Sequence, residues 1–551
     1  MSVAKRRARL TEVSGLAVAV VGLIAFAYLT VPAVDSDYGW HVANGRHLLD
    51  GQLFAGIDTY SWTAAGATWI AHEWLTEGLM AFLHDSFGPT ANSLLAGALG
   101  AATILITVSR LRIRGFGVAV ALVVGLLALL DAGTIVSVRP LVVEIFAVAL
   151  LLWLIDAWRA GGIETRRFAV VVVLAFLMWA NAHGSFVLGL AILGTTWLNL
   201  VVERDRRARV VVIVAVGSAL VTLLNPFGLR LIGYVASAVT GSRLELIAEW
   251  APPDLAASMW WPFVAALALA GVGMLAGIGR RAGLARFGRR SSSVMRAGPG
   301  SSPNPRRVRI DDALIAVALG FLGLQHAYHA GLFGIAAAPA IAAGIATIVD
   351  AGRSRIGFIR HAREDGAIDP QTRERVNLAL LAFVAVLTGS LVWARVGPSN
   401  TTAAMQGEYP IAALPALDEL AAARPGSLCL FNDYSWGGWI EMVRPDIPVF
   451  IDGRSEVYGD DQVARYATIR GGGPGSAKAL AATGANAVLI PTSSDLAGAL
   501  ASTADWTLLY TDDHAVLLVF ESLGALPDPA AGPAARPAAG SGADSAPCLP
   551  R

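Results

Sequence analysis

Two carboxylates two residues apart, Asp35 and Asp37, stand where an apolar run gives way to the aromatic stretch Asp35-Ser36-Asp37-Tyr38-Gly39-Trp40-His41. An acid pair at such a junction can hold a divalent cation, or one member can act as a general base while the other stays ionised. His41, Asp58, His72 and Glu73 follow in the same stretch and enlarge the polar set. The competing reading is structural: Asp35 caps a helix and the tryptophans form an interfacial belt. Polar residues recur at the ends of later apolar runs, as Arg139-Pro140, Asn181-Ala182-His183, Asn225-Pro226, Glu249-Trp250 and His326-Ala327-Tyr328-His329. In lipid each such side chain costs about 1–3 kcal/mol unless paired or hydrated, so a set gathered on one side implies a shared aqueous cavity. Arg139, a fixed cation with five donors, suits a phosphate or pyrophosphate. His183 serves equally well as a packed hydrogen-bonding residue, and Asn225-Pro226 as a turn.

The elements that must position these residues are mostly membrane helices. The chain has 551 residues, 55% hydrophobic and 15% charged, with a mean hydropathy of +0.58. Charge is too sparse to solvate a globule of this size. Net charge is only +1 and the basic residues are scattered in short clusters between apolar runs, which excludes nucleic acid as a partner. Cys429 and Cys548 are too few for a disulfide framework and belong to no zinc pattern. Apolar stretches near 11–31, 90–109, 116–136, 141–158, 168–182, 186–202, 210–224, 260–279, 311–328, 331–349 and 377–395 approach the roughly 20 residues a bilayer demands. The pair flanking His326–His329 can also be read as one re-entrant hairpin. Threaded alternately, every cytoplasmic segment is rich in arginine, whereas the outer loops between helices hold only Arg46, Arg139, Arg230 and Arg243.

The expected fold class is therefore an α-helical polytopic membrane protein of about eleven transmembrane helices, with a cytoplasmic N-terminus and a small extracytoplasmic α/β domain. The run after Lys5-Arg6-Arg7 reads as a retained helix rather than a cleaved signal. The expected division is a bundle over 1–396 with an outer loop at 32–89, an α/β domain over 397–525 and a disordered tail at 526–551. Within that loop, Trp40–Leu49 and Glu73–Phe87 read as amphipathic helices, and Arg280–Arg309 as a flexible basic linker facing lipid. In the C-terminal domain, strands are expected at Ser427–Asn432, Val449–Asp452, Ala487–Pro491, Trp506–Tyr510 and Ala515–Phe520, and helices at Asp460–Ile469 and Ser494–Ser502. Its constellation Asp433, Asp452, Arg454, Glu456 and Tyr458 fits ligand or acceptor recognition. It fits equally a turn with an internal salt bridge that docks the domain. No glycine-rich phosphate loop follows a strand.

At these residues the sequence resembles the GT-C superfamily of membrane glycosyltransferases, which includes protein O-mannosyltransferases, lipid A aminoarabinose transferases and actinobacterial arabinosyl- and mannosyltransferases. The resemblance lies in an acidic outer loop directly after the first transmembrane helix, here Asp35-Ser36-Asp37, followed by interfacial helices and a bundle. It is most similar to bacterial members whose first loop runs D-x-D, WH, D-x-x-S-W-T, H-E-W-L, and whose C-terminal part carries N-D-Y-x-W-G-G and F-I-D-G-R-x-E-V-Y-G, here Asn432–Gly438 and Phe450–Gly459. The resemblance implies a bacterial inner-membrane enzyme with a polyprenyl-phosphate-linked sugar as donor and a hydroxyl of a glycan, lipid or protein as acceptor. It implies Asp35 or Asp37 as base in an inverting transfer, with His41, Asp58, His72, Glu73, Arg139, His183, His326 and His329 binding substrate. Arg139 would steady the leaving phosphate. A divalent cation, Mg or Mn, is optional and would sit on Asp35 and Asp37; Asp452, Arg454 and Tyr458 form the C-terminal candidate site. The alternatives from other classes are a transporter or flippase for a lipid-linked envelope precursor, for which Glu144 is the clearest mid-helix ionisable residue, and a non-catalytic envelope-assembly scaffold.

Overall fold

The computed structural model describes residues 13–51, 56–240, 251–287, 307–355 and 369–520. Glu249-Trp250, the tail at 526–551, the basic N-terminal residues and most of the 280–309 linker lie outside the described residues. The chain divides into two compact units. One holds 1–31, 93–229 and 244–397; the other holds 32–92, 230–243 and 398–551.

In chain order the helices are α1 Val13–Leu29, α2 Tyr38–Leu49, α3 Trp74–Phe87, α4 Pro89–Ile113, α5 Val118–Ala132, α6 Leu141–Arg159, α7 Thr165–Ala182, α8 Phe186–Val202, α9 Ala208–Val221 and α10 Leu229–Thr240. Then come α11 Trp261–Phe287, α12 Ile310–Gln325, α13 Ala327–Ala336, α14 Ala338–Arg355, α15 Pro370–Val396, α16 Pro398–Glu408 and α17 Leu414–Ala423. Four strands, β1 Leu430–Asn432, β2 Ala487–Pro491, β3 Trp506–Thr511 and β4 Ala515–Phe520, alternate with α18 Tyr434–Val443, α19 Ser455–Arg470, α20 Ser476–Ala481 and α21 Asp495–Ala501.

The first unit is all helical. Among the described residues five helices are long and apolar enough to cross a membrane, six if the bent pair α13–α14 counts as one span, and Gly15–Leu29, Val118–Ala132, Phe186–Val202 and Ala208–Val221 are shorter apolar helices. This is a membrane protein. One side of α15 leaves Phe383, Val386, Leu391 and Trp393 exposed, an apolar surface of the kind that lipid covers. The core joins Ala25 and Leu29 to Ile104, Ala128, Leu141, Ile145 and Leu332. The helix breaks at His326, whose backbone is extended between α12 and α13, and a further bend of 64° falls at Ala337. Pro339 supplies the reason, since its ring displaces the carbonyl four residues back and it has no N–H to offer. The Arg110 guanidinium takes up the freed carbonyls of Ile335 and Ala336 at 3.5 and 3.1 Å.

Arg110 belongs to a buried ionic network. Its Nε lies 2.8 Å from Asp156, Arg114 lies 2.7 Å from Asp312 and 3.3 Å from Asp156, and Arg159 lies 3.0 Å from Asp311 and 2.9 Å from Glu203. Arginines that the sequence presents as topology signals thus also pin the ends of α4, α6 and α12 together.

The second unit joins the outer loop to the C-terminal segment. Its sheet has the order β1-β2-β4-β3, with β1 and β2 parallel and the other pairs antiparallel, in registers Leu430↔Ala487, Ala487↔Val519 and Trp506↔Phe520. Its core includes Phe431, Phe450, Val488, Ile490 and Leu518 together with Trp40, Tyr60 and Trp69 from the loop. Ser61 forms a parallel bridge with Val449, closed by Trp62 N→Val449 O at 3.1 Å and Val449 N→Tyr60 O at 3.0 Å. The Trp62 indole donates to Leu430 O at 3.0 Å. So the apolar stretch Val449–Asp452 is not a sheet strand; its ladder partner is the loop. Helices α2 and α18 cross where both present glycine: a Cβ on Gly39 would sit 2.3 Å from Gly438 O.

Candidate functional site

Asp35 and Asp37 sit in the turn between α1 and α2, and both are half-buried. Asp35 Oδ1 accepts the Asp37 amide at 2.9 Å, while the Asp35 carbonyl accepts the Tyr38 amide at 3.0 Å and the Tyr409 hydroxyl at 2.8 Å. Tyr409 is in turn stacked on Trp439, with ring centres 5.5 Å apart. Asp37 holds the N-cap position of α2 without using its carboxylate as a cap. Its Oδ1 lies against Gly453, close enough that a Cβ there would come within 1.9 Å. The D-x-D pair and the D-G-R turn, far apart in sequence, are therefore neighbours.

Beside them lies a buried charged centre. Arg454 is 1% exposed. Its guanidinium reaches Asp58 at 2.8 Å, Asp452 at 2.5 Å and Glu441 at 3.3 Å, and packs 4.7 Å from the ring centres of both Tyr60 and Trp69. The Tyr458 hydroxyl donates to Asp452. Asp58 also accepts from the Ser61 amide at 3.0 Å and its hydroxyl at 2.6 Å, which folds 58–61 into the turn that delivers Ser61 to Val449. Burial works to raise Asp452, but the adjoining guanidinium wins and holds it below the usual carboxylate range. Glu441 goes the other way, raised by burial and by its neighbour Asp452. The salt-bridged turn is present, and the ion pair from Arg454 to Asp58 reaches the outer loop.

A second cluster lies between α2 and α3. His41 Nδ1 is 3.2 Å from Glu77 and 3.8 Å from Glu73, and Asn44 donates to Glu77 at 2.5 Å. Burial pushes the Glu77 carboxyl up to about 8. His72 lies 3.6 Å from Glu73 and against the Tyr234 ring, at 4.7 Å, and burial holds it down at about 4. Tyr234 donates to Glu456 at 3.1 Å. Among the described residues, His41, Glu73 and Glu77 are the trio whose ligand atoms could share a metal ion; Asp35 and Asp37 do not belong to such a trio.

Arg139, His183, His326 and His329 belong to the first unit. There Arg139 lines a cavity of about 260 Å³ with Thr134, Ser137, Trp260 and Tyr328. The Tyr328 hydroxyl donates to Glu144, which lies 3.6 Å from His183 Nδ1; that nitrogen also meets Ser185 Oγ at 2.8 Å. His326 and His329 have ring centres 5.8 Å apart. Asn44, Glu77 and Glu441 belong to no sequence motif, although Glu77 falls one turn after Glu73 and could have been found from that spacing. Asp131 was missed too: it ends α5 and is buried against Gly334.

The archaeal oligosaccharyltransferase AglB from Archaeoglobus fulgidus, in complex with an inhibitory peptide and a dolichol-phosphate, superimposes with a TM-score of 0.52 over 88% of this chain and 70% of that one, at 13% identity. The chain has the GT-C fold. Two other GT-C structures are also similar. ArnT from Cupriavidus metallidurans, bound to undecaprenyl phosphate, gives a TM-score of 0.46 at 15% identity, with 90% of this chain and 96% of that chain covered. The Archaeoglobus fulgidus oligosaccharyltransferase tethered to an acceptor peptide with an NVT sequon gives 0.48 at 15% identity, covering 86% and 69%. No family model and no curated protein matches the sequence.

Proposed function

We propose that this GT-C chain transfers a sugar from a polyprenyl-phosphate donor to an acceptor hydroxyl on the outer face of a bacterial inner membrane. The observation that carries the reading is the Asp35–Asp37 turn. Asp58, Glu73 and Glu77 of the outer loop are buried in ion pairs and hydrogen bonds, whereas these two remain partly accessible at its head, directly after the first apolar helix. In the transfer the acceptor oxygen bonds to the anomeric carbon as the carbon–oxygen bond to phosphate breaks. Asp37, or Asp35 beside it, takes the acceptor proton, and the configuration inverts. Arg139, in its own cavity with Ser137 and Tyr328, has the donors a departing lipid phosphate needs. The acceptor is a hydroxyl of a glycan, lipid or protein. The arginine pattern supports about eleven spans, with the N-terminus in the cytoplasm and the second unit outside.

The test uses the full chain in nanodiscs with polyprenyl-phosphate-linked mannose, arabinose and glucose as donors, and mass spectrometry to follow release of polyprenyl phosphate. Asp37→Asn or Asp35→Asn should slow release about 100-fold or more without lowering the melting temperature. Full activity in both variants refutes the assignment. Loss of lipid flux in Glu144→Gln, with both Asp variants intact, would instead mark a transporter.

A further inference from the structure

We propose that His41, Glu73 and Glu77 form a binding site for a divalent first-row transition cation, zinc or manganese, that clips α2 to α3. The inference stands apart from the transferase reading, since it concerns how the loop is held and not which bond is made.

The helices are built to meet here. Gly45 lets them close, because a Cβ there would fall 2.1 Å from Glu77 O. One turn before Gly45, His41 faces α3, where Glu73 and Glu77 are spaced i, i+4 and so lie on one face. A four-coordinate ion at about 2.1 Å from its ligands needs them about 3.4 Å apart. The His41 nitrogen lies 3.2 Å from one carboxylate and 3.8 Å from the other, and all three ligand atoms fall within 4.8 Å of one another. One imidazole with two carboxylates selects zinc or manganese over magnesium and calcium, which take oxygen alone.

Burial gives a second reason. His41 is 2% exposed, Glu73 8% and Glu77 1%, so three groups able to ligate a metal are withdrawn from water together. The supporting shell is that of a ligand set: Asn44 fixes Glu77 at 2.5 Å, the Tyr60 hydroxyl lies 3.4 Å from Asn44 Oδ1, and His72 lies 3.6 Å from Glu73.

The experiment is elemental analysis and melting of the full-length chain purified in detergent without chelator. Expected are about one equivalent of zinc or manganese per chain, a melting temperature lowered by EDTA and restored by adding either ion, and a visible cobalt spectrum on substitution that Glu77→Gln and Glu73→Gln abolish. A chain that carries less than about a fifth of an equivalent after loading and melts identically with and without EDTA overturns the proposal. So does stoichiometric metal that survives in the double Glu→Gln variant. Should those variants fail to fold, the loading and EDTA results on the unmutated chain decide.

Discussion

Replacing Arg454 by Met removes the cation that Asp58, Asp452 and Glu441 approach within 3.3 Å and that packs 4.7 Å from the ring centres of Tyr60 and Trp69. The thioether fills much of the volume but leaves the carboxylates buried without their partner. Breaking such a pair costs about 3–5 kcal/mol, most of it the penalty of uncompensated charge. In a unit of 150–250 residues each kcal/mol moves the melting temperature by roughly 2–4 °C, so Arg454→Met should melt about 10 °C lower. Lysine keeps the charge but reaches one acid rather than three, and should fall about midway. The discriminating measurement is a double-mutant cycle with Asp58→Asn, read by thermal unfolding of the detergent-solubilised chain. The double variant should recover part of the loss, with a coupling of about 2 kcal/mol. A shift below about 2 °C in Arg454→Met, or additive single effects, would refute the claim that this ion pair holds the loop to the C-terminal segment.

Gly39→Ala would place a methyl 2.3 Å from Gly438 O, where backbone meets backbone; we expect about 3 kcal/mol of destabilisation, seen as a lower melting temperature. Gly453→Ala meets instead the rotatable end of Asp37 at 1.9 Å, so it should slow sugar transfer more than it lowers melting, and equal losses in both readouts would count against the assigned role of Asp37. Burial, reinforced by Arg46, holds His84 below its ordinary 6.5, where Nδ1 meets the Tyr38 hydroxyl at 2.7 Å. Because the unfolded chain takes up that proton first, this part of the stability is full above pH 6.5 and is lost as the pH falls toward the depressed folded value. Melting curves across pH 5–7.5 should show a slope that His84→Gln flattens.

Periodicity sufficed for most elements. Most apolar runs became helices within a few residues of their expected ends, though the helices over 260–279 and 377–395 extend seven or eight residues further and the run 331–349 is split at Ala337; Ala487–Pro491 and Ala515–Phe520 are strands as expected, since β-branched runs bounded by turn residues have few other solutions. The Asn432–Gly438 pattern was visible but not interpretable. Asn432 accepts the Phe450 amide at 2.8 Å and donates to Ile451 O at 2.7 Å, and Gly438 makes room for α2, contacts that exist only once the chain has returned from the membrane. The same limit hid the partner of Arg454. A sequence shows that an Asp-Gly-Arg turn carries a cation, but not that Asp58, almost 400 positions earlier, receives it. For Arg110, Arg114 and Arg159 the orientation rule and the ion pairing coincide, so composition read one role and geometry added the other.

The bridge between Ser61 and Val449 also sets an order of events during synthesis. The ribosome releases the first segment long before its ladder partner has been made, and every intervening helix must be inserted in the meantime. Until then Trp40, Tyr60 and Trp69 remain wet and Asp58 lacks its counter-ion, so the unfinished loop is a target for proteases and for off-pathway association. A chain truncated anywhere before Val449 would insert its helices yet leave that loop unfolded, and completing the C-terminal segment is what closes it.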